Sequence, residues 1–147
     1  MEDKLESLTV SDDLKALTIH RPWVWAIFEG FKRVENRSWT TTHRGLLAIH
    51  ASRSSASDEQ AATTFQSLKI KYPKHFLSRA IVGTVELLEI LPLNEYLEKY
   101  GDDPMNRAFA VGPYCWVLTS PVKCLPISCP GNFQIWNVKK MLSNQKN

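Results

Sequence analysis

The eleven residues Ala80-Ile-Val-Gly-Thr-Val-Glu-Leu-Leu-Glu-Ile90 constrain the fold of this chain more than any other segment. Apolar and β-branched side chains dominate them, so they read as a strand, with Gly83 marking a bulge. A chain that carries such a strand must build a sheet around it. Shorter strands are available. Lys15–His20 alternates, Arg44–His50 is a continuous apolar run, and Gly112-Pro113 introduces Tyr114–Thr119. Pro121–Ile127 reads as a further strand, and Pro130-Gly131 precedes a last segment holding Phe133, Ile135 and Trp136.

Helices fit between the strands. Pro22 sits where a helix tolerates a missing N–H, Trp23, Ala26 and Ile27 follow at i, i+3, i+4, and Gly30 supplies a left-handed cap. Phe31–Trp39 is extended, and Thr40–His43 is a turn. Ser57-Asp-Glu-Gln60 carries a capping-box pattern and opens a helix to about Ile70, which Tyr72-Pro73 ends. Asn94–Tyr100 forms one or two further turns before Gly101. The expected fold is α+β: five to six short strands in a small curved sheet or barrel, with two to three peripheral helices. Residues 1–13 are expected to be a flexible acidic arm, 14–143 a single domain and 144–147 a tail.

A chain of 147 residues buries roughly 68–70% of its unfolded surface, so its core needs no disulfide or metal staple. No stretch approaches the ~18 uninterrupted apolar residues of a membrane span. Cys115, Cys124 and Cys129 cannot all pair and none lies in a CxxC, so reduced thiols and an intracellular, cytoplasmic setting are expected. The histidines and cysteines lack zinc-site spacing, and no GxSxG, HExxH or phosphate-cradling loop occurs. Neither metal nor cofactor is expected.

The formal charge of +3 conceals strong asymmetry. Residues 1–14 carry −4, 15–53 carry +5 and 80–103 carry −5, while 104–147 hold five bases and no acid. The positive block interleaves its bases with Trp23, Trp25 and Trp39, which is what single-stranded nucleic acid requires. Cations hold phosphates, and aromatic faces stack on bases at roughly 1–3 kcal/mol each. The plain alternative for Trp23 is a core position. In a regular strand Glu35, Arg37 and Trp39 share one face and Lys32 points to the other, so Lys32 and Glu35 meet only if the chain turns after Gly30. A partly desolvated lysine beside a carboxylate can serve in acid–base chemistry or can be an ordinary ion pair. Strict alternation puts Glu86 with Thr84, Leu88 and Ile90, either on an exposed face or buried beside a cation such as Lys32 or Arg37.

The stretch from Leu17 to Ser52 resembles the opening of an ASCH domain, a PUA-like domain named after the activating signal cointegrator. The residues that carry the resemblance are Pro22-Trp23, Gly30, Lys32, Glu35, Arg37, Trp39-Thr40, Arg44-Gly45 and His50-Ala51-Ser52. It continues through Ile81–Leu87, Gly112–Leu118 and Ile135-Trp136, covering about Leu14 to Val138. It implies a PUA-like barrel with a cleft beside the first helix, and binding of RNA or other single-stranded nucleic acid or of a nucleoside-sized ligand. On that reading Lys32, Arg37, Trp39, Arg44, Trp23 and His20 form the nucleic-acid-binding set. Some members of the family are ribonucleases, and some small bacterial relatives are amidohydrolases of N4-acylated cytidine that use a lysine, a threonine three residues later and a strand glutamate. Lys32 and Glu86 match the lysine and the glutamate, whereas Glu35 stands at the threonine position. The resemblance therefore points to the cointegrator-type branch, with Lys32, Glu35 and Glu86 as the catalytic set if the protein is an enzyme.

Overall fold

In chain order, the computed structural model describes residues 4–145 as β1 (Lys15–His20), α1 (Arg21–Phe28), β2 (Val34–Arg37), β3 (Gly45–Ser52), α2 (Asp58–Ser67), β4 (Ala80–Pro92), α3 (Leu93–Tyr100), α4 (Pro104–Phe109), β5 (Tyr114–Ser128), β6 (Ile135–Asn137) and α5 (Val138–Asn144). The strands form one curled, half-barrel sheet in the order β2-β5-β4-β3-β1-β6. Only β1 and β3 run parallel; every other neighbouring pair is antiparallel. The long apolar strand β4 sits near the middle, as its composition demands. Gly83 lies at a register shift, where an added Cβ would meet Phe28 Cε1 and the Val122 carbonyl at 2.4 Å. Only glycine lets α1 and β5 close so tightly on this strand.

The concave side of the sheet is filled by Leu17, Ile19, Leu47, Ile49, Trp116 and Leu118, against which α1 lays Val24 and Ile27. The opposite side of α1 joins a second core, where Ala26 meets Ala61, Phe65, Tyr96 and Phe109 from the other helices. α1 is thus wedged between sheet and helices, and its end is sharply defined. Gly30 takes φ +86°, its N–H donates to the Ile27 carbonyl, and the Phe31 N–H donates to the Ala26 carbonyl. This double closure turns the chain directly into β2.

Some expectations need correction. There are five helices among the described residues. Asp103 Oδ1 accepts from the Met105 N–H at the start of α4, and Asn137 Oδ1 accepts from the Lys140 N–H at the start of α5, so both have side-chain caps that pattern reading passed over. Ser57 is no capping box, since its hydroxyl bonds His20 instead. The two strands read on either side of Ser120 are one strand, β5. Pro121 is tolerated because Thr119 pairs with Glu86 and Val122 with Thr84, leaving an irregularity between them. Residues 4–13 do not hang free: the Leu125 N–H donates to the Glu6 carbonyl, and Leu8 and Val10 pack on the core under α5. The remainder of the expected arm and tail, residues 1–3 and 146–147, lies outside the described residues. No helix among the described residues is long and apolar enough to cross a membrane.

Candidate functional site

β2 and β1 lie toward opposite ends of the sheet and share no backbone pairing, yet the curl brings them face to face. Arg37 Nη2 crosses from β2 to the Thr18 carbonyl of β1 at 2.8 Å and also holds Glu35 Oε2 at 2.9 Å. A cleft of about 510 Å³ opens at this junction. That volume is within the range of small-ligand sites. Lys32, Glu35 and Arg37 line it together with Trp23, Trp39 and His20.

The sharp turn after Gly30 decides the chemistry of the floor. It places Lys32 just ahead of β2, so its ammonium turns back to bond the Val34 carbonyl and approaches Glu35 Oε1 at 3.4 Å. Both are buried, Lys32 at 3% and Glu35 at 6% exposure. Glu35 Oε1 also accepts the Asn36 N–H at 3.1 Å. Burial alone would raise the Glu35 carboxyl, but Lys32, Arg37 and that amide together hold it below the usual carboxylate range. Burial draws the Lys32 ammonium below the usual lysine range against the pull of Glu35. Two cations on one carboxylate leave the floor with a net positive charge, and Arg37 is the more exposed of the two.

The walls are aromatic. Trp23 contacts Phe65 and Phe109 edge-on with centroids 5.9 and 6.2 Å away, and Lys32 Nζ stands 5.7 Å from its ring centroid. Trp39 meets Trp116 edge-on at 4.8 Å and stays partly exposed. Trp23 therefore serves as core and cleft wall at once. His20 is fixed at the rim through Ser57.

Two residues of the expected set do not join this cluster. Glu86 pairs in register with Leu46 and Thr119 and is absent from the cleft lining: its alternation with Thr84 and the exposed Leu88 holds, and this puts it on the face of β4 opposite the core residues Val85 and Leu87. Lys32 and Arg37 bind Glu35 instead. Arg44 sits on the exposed turn before β3, donating to the Thr41 and His43 carbonyls, outside the cleft. Conversely, Asn36 was missed. Its Oδ1 accepts the Val111 and Gly112 N–H groups and its Nδ2 donates to the Phe109 carbonyl, tying the α4–β5 loop to β2 as the far wall. No local pattern could reveal partners more than seventy residues away. Among the described residues no three His, Cys, Asp or Glu side chains gather into a metal-binding group.

The sequence matches the family model described as ASCH domain over residues 17–138. Activating signal cointegrator 1 of Homo sapiens is 29% identical over 131 residues, covering 83% of this chain and 22% of that protein. Its Mus musculus counterpart is 29% identical over 133 residues with the same coverage. The chain thus spans 22% of the length of these curated relatives. Among solved structures, a crystal structure of ASCH from Zymomonas mobilis superposes with a TM-score of 0.54 at 13% identity, covering 92% of this chain and 94% of that one. A tyrosine-to-phenylalanine mutant of the same organism's protein gives 0.52 at 14% identity, with 90% and 94% covered. At such identities the likeness establishes the PUA-like fold and nothing further.

Proposed function

Because the chain belongs to the ASCH domain family, we propose that it binds single-stranded nucleic acid, RNA foremost, with one nucleotide seated in the cleft between β1 and β2. The observation that carries this reading is the pairing of a net-positive floor with two partly exposed tryptophans in a cleft of about 510 Å³. Arg37, already anchored to Glu35 and the Thr18 carbonyl, presents its remaining N–H groups to a phosphate or base edge. Trp39 supplies the stacking face, and Trp23 and His20 close the sides. Glu35 positions the cations. Arg44 and Glu86 are left out, since neither lines the cleft. Binding across a salt series tests the reading, because log affinity for single strands falls by about 0.7 per phosphate neutralised for each tenfold rise in salt. Absence of binding at low salt would overturn it.

A second reading has one observation in its favour: Lys32 is buried beside Glu35 at the cleft floor with its proton affinity reduced. That arrangement suits proton transfer during hydrolysis of an acylated nucleoside. Against it, Glu35 is engaged by two cations and an amide and is a weak base. Following the ultraviolet spectrum of N4-acetylcytidine with wild type and Lys32→Met decides the matter; a flat trace for both removes that substrate.

A further inference from the structure

Beyond the cleft, the parallel pair β1–β3 ends with His20 beside Ser52. A second hollow opens there, lined by Thr18, His50, Ser52, Arg53, Arg79 and Gly131 among others, and a third continues it past Arg53 and Arg79 to Arg21. Thr18 borders both the second hollow and the main cleft: its side chain lies under Gly131 on this side, and its carbonyl receives Arg37 at the cleft.

No carboxylate lines either of these hollows. Arg21 is neutralised by Asp58, but among the described residues neither the Arg53 nor the Arg79 guanidinium has a side-chain partner. Arg79 is also held in an unusual place. Its N–H donates to the Ala51 carbonyl, its carbonyl accepts from the Cys129 N–H, and its φ is +58°, a region ordinary residues avoid. The backbone is thus clamped so that an unpaired cation stands beside the end of β3.

A buried polar atom on this side also lacks a partner. His50 is 2% exposed, its Nε2 pairs with the Cys129 carbonyl at 2.8 Å, and its Nδ1 bonds nothing among the described residues. Because a carbonyl can only accept, Nε2 carries the proton and Nδ1 is a bare acceptor. Gly131 lies over it without a side chain: a Cβ there would stand 2.9 Å from Nδ1. Two residues along the same loop, Phe133 is 91% exposed, an aromatic face without an intramolecular purpose.

We infer that these hollows continue the cleft as a track for single-stranded RNA, in which Arg53 and Arg79 hold the phosphates adjoining the nucleotide seated between β1 and β2. This rests on the cleft reading and extends it, by placing the phosphates on either side of the seated nucleotide. Phe133 is placed to stack on a base leaving the track.

The test compares uridine monophosphate with an RNA of about six nucleotides, a length within the footprint of small single-strand-binding domains. The variants are Arg53→Ala/Arg79→Asn, with asparagine chosen because it accepts the left-handed backbone, Arg53→Lys/Arg79→Lys, and Arg37→Gln. The hexamer is expected to bind at least tenfold more tightly than the mononucleotide. The Ala/Asn pair should lose at least tenfold for the hexamer and nothing for the mononucleotide, with the salt slope shallower by about 1.4 for two phosphates released. The lysine pair should retain the slope, which separates charge from folding. Wild-type hexamer binding by the Ala/Asn pair would overturn the track while leaving the cleft standing. Hexamer binding that ignores Arg37→Gln but needs Arg53 and Arg79 would overturn the cleft and keep the track. Failure of wild type to bind either probe would overturn both.

Discussion

Glu35 is the most consequential single side chain. It neutralises a lysine that is 3% exposed and aligns Arg37 across the mouth of the sheet. Glu35→Gln leaves the Lys32 ammonium buried and uncompensated, and denaturant unfolding should show a loss of about 3–5 kcal/mol. Replacing both partners, Lys32→Met with Glu35→Leu, should cost markedly less, because no charge is then stranded. The Glu35 carboxyl is depressed in the folded state, so its stabilising contribution is full above the unfolded value near pH 4.3 and disappears as the pH falls through the folded one. His50 behaves differently. Burial lowers its proton affinity, against the opposing bond to Cys129, so below about pH 6.5 the unfolded chain takes up a proton that the folded chain refuses. Unfolding midpoints should fall between about pH 7.5 and 5.5 in wild type, and this part of the fall should be absent in His50→Gln. An identical pH profile in the variant would contradict the assignment.

At the scale of elements, two glycines do different work, and substitution separates them. Gly30 has open space around its absent Cβ but φ +86°, so Gly30→Ala should cost only the conformational strain, about 1–2 kcal/mol. Gly83 has an ordinary backbone but no room, so Gly83→Ala forces Phe28 and β5 apart and should cost about 1–3 kcal/mol or more in the same unfolding assay. Gly30→Ala should also perturb ligand binding, because the turn it makes aims Lys32 at Glu35. How much of this was legible follows the range of the interactions. The Pro22–Gly30 helix, the β4 strand and the Gly30 turn are written in neighbouring residues and could be read directly. Glu35 and Arg37 were placed on one face by alternation alone. The Lys32–Glu35 contact was foreseen only conditionally, and the condition, a turn after Gly30, is met. For Glu86, alternation left two alternatives, an exposed face or a buried place beside a cation, and the choice depended on which face of β4 packs on the core, which its neighbours in sequence do not encode. Asn36 and the Ser57–His20 contact were invisible for the same reason, since their partners come from distant elements.

For the whole molecule, the asymmetry of charge acquires a geometry. The basic block from Lys15 to Arg53 supplies the cleft floor at one side of β1 and the Arg53 end of the adjoining hollow at the other. Two acids of the acidic stretch are engaged internally: Glu89 bonds Lys99 and Tyr100, and Asp103 caps α4 while pairing with Arg33. The half-barrel leaves β1 and β2 unpaired with one another, and side chains bridge the gap; the opening of the sheet is what makes the site. Fluorescence anisotropy of a labelled single-stranded RNA, titrated at low salt with wild type, Arg37→Gln, Trp39→Leu and the exposed control Lys71→Ala, tests this account most directly. Binding that weakens with salt, drops at least tenfold in Arg37→Gln and Trp39→Leu, and is unchanged in Lys71→Ala is the predicted result. RNA binding that is absent from wild type, or indifferent to both cleft substitutions in folded protein, would contradict it.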